Sequence, residues 1–148
     1  MFLIVNVASA CGLANKNYRQ LKEFHSDYED AGLHIMAFPC NQFMGQESSC
    51  EKDILKFVTD KFAVKFQMYS KIEVNGVNCH PLYKFLRSNS TLHDPNSKKS
   101  KEVPWNFAKF LVSEEGKVIG YYNSDTYPDS FRKRLESLLE IKEAYSKI

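Results

Sequence analysis

Apolar residues fall into short continuous runs and helix-spaced positions along the first third of the chain. Residues 2–8 and 33–38 are short apolar runs rich in β-branched side chains, which is typical of strands buried on both faces. Between them, four large apolar or aromatic residues recur at helical spacing: Tyr18, Leu21, Phe24 and Tyr28. Strand, helix and strand in this order predict a parallel βαβ unit.

The middle of the chain predicts two further helices separated by a short strand. Ser48 and Glu51 have the spacing of a capping box ahead of a helical pattern over residues 54–62. Residues 69–74 predict a short strand that ends at an Asn-Gly turn. Residues 81–86 predict a brief helix, and the polar stretch 88–101 predicts an exposed, mobile loop.

The last third predicts a β-hairpin and a final helix. Residues 107–112 and 117–122 flank a polar turn that contains glycine, which is typical of a hairpin. Apolar residues then return at helical spacing: Phe131, Leu135, Leu138 and Leu139. The whole order predicts one α/β domain over residues 1–148, with a thioredoxin-like fold in which helices flank a central mixed sheet.

Composition excludes several functional classes. The chain has 148 residues, of which 43% are hydrophobic and 26% charged, so disorder is excluded. Twenty basic residues against 18 acidic ones argue against nucleic acid as a partner. The apolar runs are too short for membrane insertion, and no signal peptide is visible. The four cysteines and four histidines match no metal-ligand spacing, so we expect no metal.

Cys11 is the first candidate for chemistry, because it lies between a predicted strand and a predicted helix. Sites in α/β sheets form at such strand ends, and the dipole of a helix favours a thiolate at its N-terminus. The alternative is a small buried side chain with a packing role only. The sequence has no Cys-x-x-Cys pair, so a reactive Cys11 points to oxidation of a single sulfur, as in peroxide reduction.

Four stretches carry a resemblance to a known family. In chain order they are VNVASACG (5–12), FPCNQF with GQE (38–43 and 45–47), KIEVNG with PLY (71–76 and 81–83) and WNFAKFLV (105–112). Together they resemble the glutathione peroxidase family over roughly residues 2–140. Several long motifs in the same order are far more specific than any one of them.

The resemblance implies four catalytic residues: Cys11, Gln46, Trp105 and Asn106. Cys11 matches the peroxidatic cysteine or selenocysteine. Indole and amide groups are N–H donors, which suits a reaction in which an alkoxide leaves. Without the motif, Trp105 would be read as a core aromatic. Asn41 and Gln42 are expected to have structural roles, with amides that bind the loop backbone near the site.

The chain departs from the family at the resolving cysteine. Many members carry this cysteine in the helix after the glutamine motif, where this chain has Thr59. Cys40 is the next candidate resolver, and a packing role for it is the alternative. Without a resolver, the resemblance implies glutathione as the external thiol and co-substrate. A thioredoxin-dependent peroxidase, or a redox sensor that oxidises a client protein, stays open as the alternative.

The resemblance also bears on assembly and location. The segment between Leu86 and Trp105 is shorter than the loop through which tetrameric members associate, so we expect a monomer. The hairpin that the family carries upstream of the first strand is not present in this sequence. We expect a role in the oxidative stress response, with hydrogen peroxide or organic and lipid hydroperoxides as substrates. We expect a cytoplasmic location, with the secretory pathway as the alternative.

Overall fold

A five-stranded mixed sheet forms the centre of the computed structural model, which describes residues 1–140. The strands are β1 (Phe2–Val7), β2 (His34–Pro39), β3 (Gln67–Met68), β4 (His93–Asp94), β5 (Lys99–Ser100), β6 (Lys109–Val112) and β7 (Val118–Tyr122). The helices are α1 (Ala14–Tyr28), α2 (Glu51–Phe62), α3 (Pro81–Ser88) and α4 (Arg132–Leu138), and a 3-10 helix (Pro128–Phe131) precedes α4.

The sheet has the order β3-β2-β1-β6-β7, and β1 lies at its centre. Strand β1 pairs in parallel with β2 and antiparallel with β6. Strands β2 and β3 are parallel, whereas β6 and β7 form the antiparallel hairpin. The predicted mixed α/β sheet is therefore confirmed, and the loop that follows β1 emerges from the middle of the sheet.

The two faces of the sheet bury separate hydrophobic clusters. Because side chains alternate along a strand, Leu3, Val5 and Val7 of β1 enter one cluster and Ile4 enters the other. The first cluster, with α1 and α2, contains Tyr18 and Cys11, so we call it the α1 cluster. The second cluster, with α3, contains Tyr83 and Cys40, and we call it the α3 cluster.

The predicted capping box is wrong. Helix α2 begins at Glu51, and its N-cap is Cys50, which makes no side-chain capping bond. The Glu51 carboxylate instead accepts a hydrogen bond of 3.2 Å from the backbone N–H of Lys71. The Lys71 ammonium in turn donates to the carbonyl of Ser49 at 2.6 Å. Glu51, which the local spacing predicted to cap the start of α2, thus makes a tertiary contact with Lys71 instead.

The strand predicted over residues 69–74 is also wrong, since β3 covers only Gln67–Met68. Beyond it, the backbone N–H of Ile72 still reaches the carbonyl of Pro39 at 2.9 Å. The N–H of Val74, however, donates to Gln42 Oε1 at 2.7 Å. A side chain therefore takes the hydrogen bond that a longer strand would have used.

The polar stretch 88–101 is mostly exposed, as predicted, but it is not a structureless loop. Strands β4 and β5 pair antiparallel within it. The Arg87 guanidinium anchors it by donating to the carbonyls of Lys101 at 3.0 Å and Ser100 at 3.3 Å. Leu92 is buried beneath it.

No helix within residues 1–140 has the length and apolarity needed to cross a bilayer.

Candidate active site

Cys11 lies in the loop between β1 and α1, three residues before the first residue of that helix. The Leu13 backbone N–H points at the sulfur at 3.4 Å, and the Ala14 N–H donates to the Cys11 carbonyl at 3.0 Å. Cys11 as a residue is only 7% exposed, and it belongs to the α1 cluster. The backbone N–H of Leu13, the N-cap of α1, is therefore the donor placed at the Cys11 sulfur.

Gln46 is held against the Cys11 loop from one side and against Asn106 from the other. The backbone N–H of Ala10 donates to the Gln46 carbonyl at 3.1 Å. The side chain of Asn106 donates to Gln46 Oε1 at 3.0 Å. The structure therefore brings three separated motifs, the Cys11 loop, Gln46 and Asn106, into one connected set of contacts.

Asn6 fixes the turn that carries Trp105 and Asn106, and the sequence analysis assigned it no role. It is fully buried in β1, and its Nδ2 donates to the Trp105 carbonyl at 3.0 Å. Its own carbonyl accepts from the N–H of Phe107, a residue with a left-handed φ of 62°. The available signal was that Asn6 is the one polar residue inside an apolar strand. A buried amide in such a position needs partners.

Trp105 is half-buried and packs against both hydrophobic clusters, including the one that holds Cys11. Its ring lies 5.7 Å from that of Phe43, centroid to centroid. An open groove of about 500 Å³ runs beside it, with Phe43, Met44 and Pro104 in its lining. The side chain of Met44 is 82% exposed. The tryptophan therefore has both the packing role and the solvent access that a functional role needs.

The expected structural roles of Asn41 and Gln42 are confirmed. Asn41 Oδ1 accepts from the backbone N–H of Glu47 at 3.0 Å. Gln42 Oε1 accepts from the N–H of Val74, and its Nε2 donates to the carbonyl of Asn75 at 2.8 Å. These amides replace strand-type bonding in the irregular segments beside the site.

Glu47 is a buried acid beside the Cys11 loop that the sequence analysis assigned no role. It is 1% exposed, and its Oε1 accepts from the backbone N–H of Ser9 at 3.0 Å. Burial raises the pKa of this carboxyl, while contacts with Ser9 and the charge of Lys71 act in the opposite direction. The sequence shows that Glu47 follows the candidate Gln46, but only the structure shows that this carboxyl group is buried.

The other cysteines lie apart from Cys11, and all four are free thiols. Cys40 is fully buried in the α3 cluster, on the opposite face of the sheet from the α1 cluster. Burial raises the pKa of its thiol. Cys79 belongs to the same α3 cluster as Cys40, whereas Cys50 is exposed at the start of α2. Thr59 lies on α2, at the position where the resemblance places the resolving cysteine of many family members.

The described residues contain no group of three or more metal-ligating side chains placed to hold a metal ion. The four predicted site residues offer a thiol, two amides and an indole. Such a set can stabilise negative charge on oxygen or sulfur by hydrogen bonding, and none of its members is a general base at neutral pH.

Comparisons with known proteins agree in both sequence and structure. A family model described as glutathione peroxidase matches residues 1–87. Glutathione peroxidase 2 of Caenorhabditis elegans is 46% identical over 142 residues, which cover 96% of this chain and 84% of the relative. A probable phospholipid hydroperoxide glutathione peroxidase of Nicotiana sylvestris is 45% identical over 141 residues, or 95% of this chain and 80% of the relative.

Solved structures give the same fold. The crystal structure of T. cruzi GPX1 superposes with a TM-score of 0.69 at 31% identity, over 94% of this chain and 81% of the other. The solution structure of a thioredoxin-like protein in its oxidised form superposes with a TM-score of 0.63 at 15% identity, over 96% and 79% of the two chains. The second match bears on the fold alone, and it confirms the predicted thioredoxin-like architecture.

Proposed function

Because the chain belongs to the glutathione peroxidase family, whose members are oxidoreductases that act on peroxides, we propose that Cys11 is its peroxidatic residue. Gln46, Trp105 and Asn106 would be the donors that stabilise the reacting charges. The observation that supports this assignment is the chain of contacts from the Ala10 N–H to the Gln46 carbonyl, and from Gln46 Oε1 to Asn106. It joins residues from three separate motifs, and one of these motifs contains Cys11.

In the first step, the thiolate of Cys11 attacks the nearer oxygen of ROOH. A sulfur–oxygen bond forms, the oxygen–oxygen bond breaks, and the electron pair leaves with RO⁻. That oxygen takes up a proton to give alcohol, or water when the substrate is hydrogen peroxide, and Cys11 becomes a sulfenic acid. The amide and indole N–H groups lower the barrier by donating to the charge that develops on oxygen.

In the second step, glutathione reduces the oxidised cysteine. One glutathione thiolate attacks the sulfenic sulfur, a sulfur–sulfur bond forms as the sulfur–oxygen bond breaks, and the leaving hydroxide takes up a proton, which gives a mixed disulfide and water. A second glutathione attacks the mixed disulfide, which releases oxidised glutathione and restores the Cys11 thiol. The two electrons that reduce the peroxide therefore come from two molecules of glutathione.

The placement of Cys40 supports an external thiol over an internal resolver. Cys40 is fully buried in the cluster on the other face of the sheet, and burial raises the pKa of its thiol. Pairing with Cys11 would require Cys40 to leave that cluster. An internal disulfide with a thioredoxin-type reductant is therefore the alternative outcome of the experiment below.

The groove beside Trp105 supports organic as well as inorganic peroxides as substrates. Phe43, Met44 and Pro104 give part of its lining an apolar character. We propose that the alkyl chain of an organic hydroperoxide lies along this groove, beside Trp105. We also propose a monomer that acts in the cytoplasm, where thiols stay reduced. Size-exclusion chromatography with light scattering and imaging of a tagged chain test these two points.

Intact mass spectrometry after one equivalent of hydrogen peroxide tests the mechanism. We expect a gain of one oxygen, its absence in Cys11→Ser, and conversion to a glutathione adduct when glutathione is added. A loss of two hydrogens would instead show a protein disulfide, and Cys40→Ser would identify its partner. An unchanged mass at low peroxide would contradict the proposal for this chain, in which a cysteine occupies a position that the family also fills with selenocysteine.

A further inference from the structure

We propose that Glu47 is a positioning residue that holds the Cys11 loop in register with Gln46. The inference rests on the proposed role of Cys11. Two successive backbone N–H groups of the loop bind two successive residues of the opposite segment. Ser9 donates to Glu47 Oε1 at 3.0 Å, and Ala10 donates to the Gln46 carbonyl at 3.1 Å.

Glu47 is itself held in place from behind. Its backbone N–H donates to Asn41 Oδ1 at 3.0 Å, and its side chain is 1% exposed. Its carboxyl group is therefore a fixed point rather than a mobile surface acid. Of the two hydrogen bonds from the loop, only the one from Ser9 is accepted by a side chain. A substitution of Glu47 can therefore remove that bond and leave the backbone bond from Ala10 to Gln46 in place.

The hydrogen-bond acceptor, rather than the negative charge, is what the geometry requires. Oε2 is buried and has no hydrogen-bond partner within residues 1–140, so it can carry a proton while Oε1 continues to accept from Ser9. The charged and titratable groups that act on this region are Lys71, Tyr18 and Cys40. A neutral amide of the same shape should therefore serve as well as the acid.

The loop controls the position of the sulfur two residues after Ser9. A displacement of a reacting group by about 1 Å can slow a reaction by roughly 10²-fold. Loss of the Ser9 bond should therefore slow the oxidation of Cys11. Glutathione approaches an already oxidised sulfur from solvent, so its step should change less. A role in stability alone would lower the folded fraction without changing the rate per folded molecule.

Three variants test the proposal in the full chain. Glu47→Met keeps the volume and removes the acceptor, whereas Glu47→Gln keeps both. Glu51→Ala is the matched control, because Glu51 also accepts a backbone N–H, from Lys71, but is exposed, and this bond does not involve the Cys11 loop. The rate of Cys11 oxidation by hydrogen peroxide is measured per folded molecule, and hydrogen exchange is measured at the amides of Ser9 and Ala10.

We expect Glu47→Met to oxidise about 10- to 100-fold more slowly, with faster exchange at Ser9, and Glu47→Gln and Glu51→Ala to stay within about 3-fold of wild type. An unchanged rate in Glu47→Met, or an equal loss in Glu47→Gln, would overturn the proposal. If Glu47→Met does not fold, Glu47→Asp retracts the acceptor and should give a smaller loss in the same direction. If Cys11 of the wild-type chain does not react with peroxide, the proposed function is refuted instead. Hydrogen exchange at Ser9 would still show whether Glu47 holds the loop.

Discussion

Asn106 donates its side-chain N–H to Gln46 Oε1 at 3.0 Å, across 60 residues of sequence. This bond occupies the amide oxygen of Gln46 and so fixes the orientation of the Gln46 side-chain amide. The NH₂ group of Gln46 therefore points away from Asn106. That group keeps two N–H donors for a reacting sulfur or oxygen. Asn106 is fully buried, so it has no competing bond to solvent.

Asn106→Ala should slow the reaction of Cys11 with hydrogen peroxide by about 10²-fold, the loss seen when one preorganised donor is removed. The double variant with Gln46→Ala should be little slower than either single variant, because the two amides act as one unit. Stopped-flow fluorescence of Trp105, the only tryptophan, measures these rates. Multiplicative losses in the double variant would contradict this coupling.

Trp105→Phe should lower the rate of peroxide reduction by at least about 10-fold while leaving the melting temperature nearly unchanged. The aromatic contact with Phe43 is retained, and only the indole N–H and part of the ring are lost. A coupled assay with glutathione reductase measures turnover. Tyr69→Phe is the control, since Tyr69 also contacts a phenylalanine ring, with its centroid 4.7 Å from that of Phe38, but lies outside the site. Equal activity in both variants would remove the catalytic role of Trp105.

Asn6→Ala should destabilise the fold by about 1–3 kcal/mol, because it removes a fully buried donor and leaves the carbonyl of Trp105 without its partner. The activity per folded molecule should also fall, since Asn106 follows directly in the same turn. Urea denaturation measures the free energy of unfolding. Asn89→Ala removes a similar amide-to-carbonyl bond at the exposed end of α3 and should cost less than about 0.5 kcal/mol. Similar losses in the two variants would show that the Asn6 contact adds nothing special.

Lys109→Met should change stability in a pH-dependent way. Lys109 is fully buried, and its ammonium donates to the carbonyls of Ser124 at 3.2 Å and Thr126 at 2.9 Å. Burial lowers the pKa of Lys109 from 10.5 to about 7, and the nearby Asp125 opposes this shift. Between these two values the unfolded chain binds more protons than the native state, so wild-type stability rises with pH across that window.

The stability of Lys109→Met relative to wild type should therefore be highest below pH 7 and should fall steadily toward pH 10. Urea denaturation at several pH values measures the difference. Lys52→Met, on the exposed surface of α2, is the control, and its difference from wild type should stay flat. A flat difference for Lys109→Met would show that the lysine keeps its charge when buried.

The elements with strong local patterns were predictable. The apolar runs of β1 and β2 and the helical spacing of α1 reflect burial on both faces of a sheet and on one face of a helix. The wrong predictions lie where a side chain replaces a local bond. Glu51 binds Lys71 instead of capping its own helix, and Gln42 takes the N–H of Val74. Such contacts join residues about 20 to 30 positions apart, which local spacing cannot show.

The sequence by itself determined the fold class and indicated Cys11, Gln46, Trp105 and Asn106, since a strand–helix junction and ordered motifs are visible in one dimension. Only the tertiary structure decided which faces of the sheet Cys11 and Cys40 occupy. It also decided how the site is held, through Asn6 and Glu47, whose hydrogen bonds span 99 and 38 residues. The physical reason is that a buried polar group must find a partner in space, and its distance along the chain does not limit the choice.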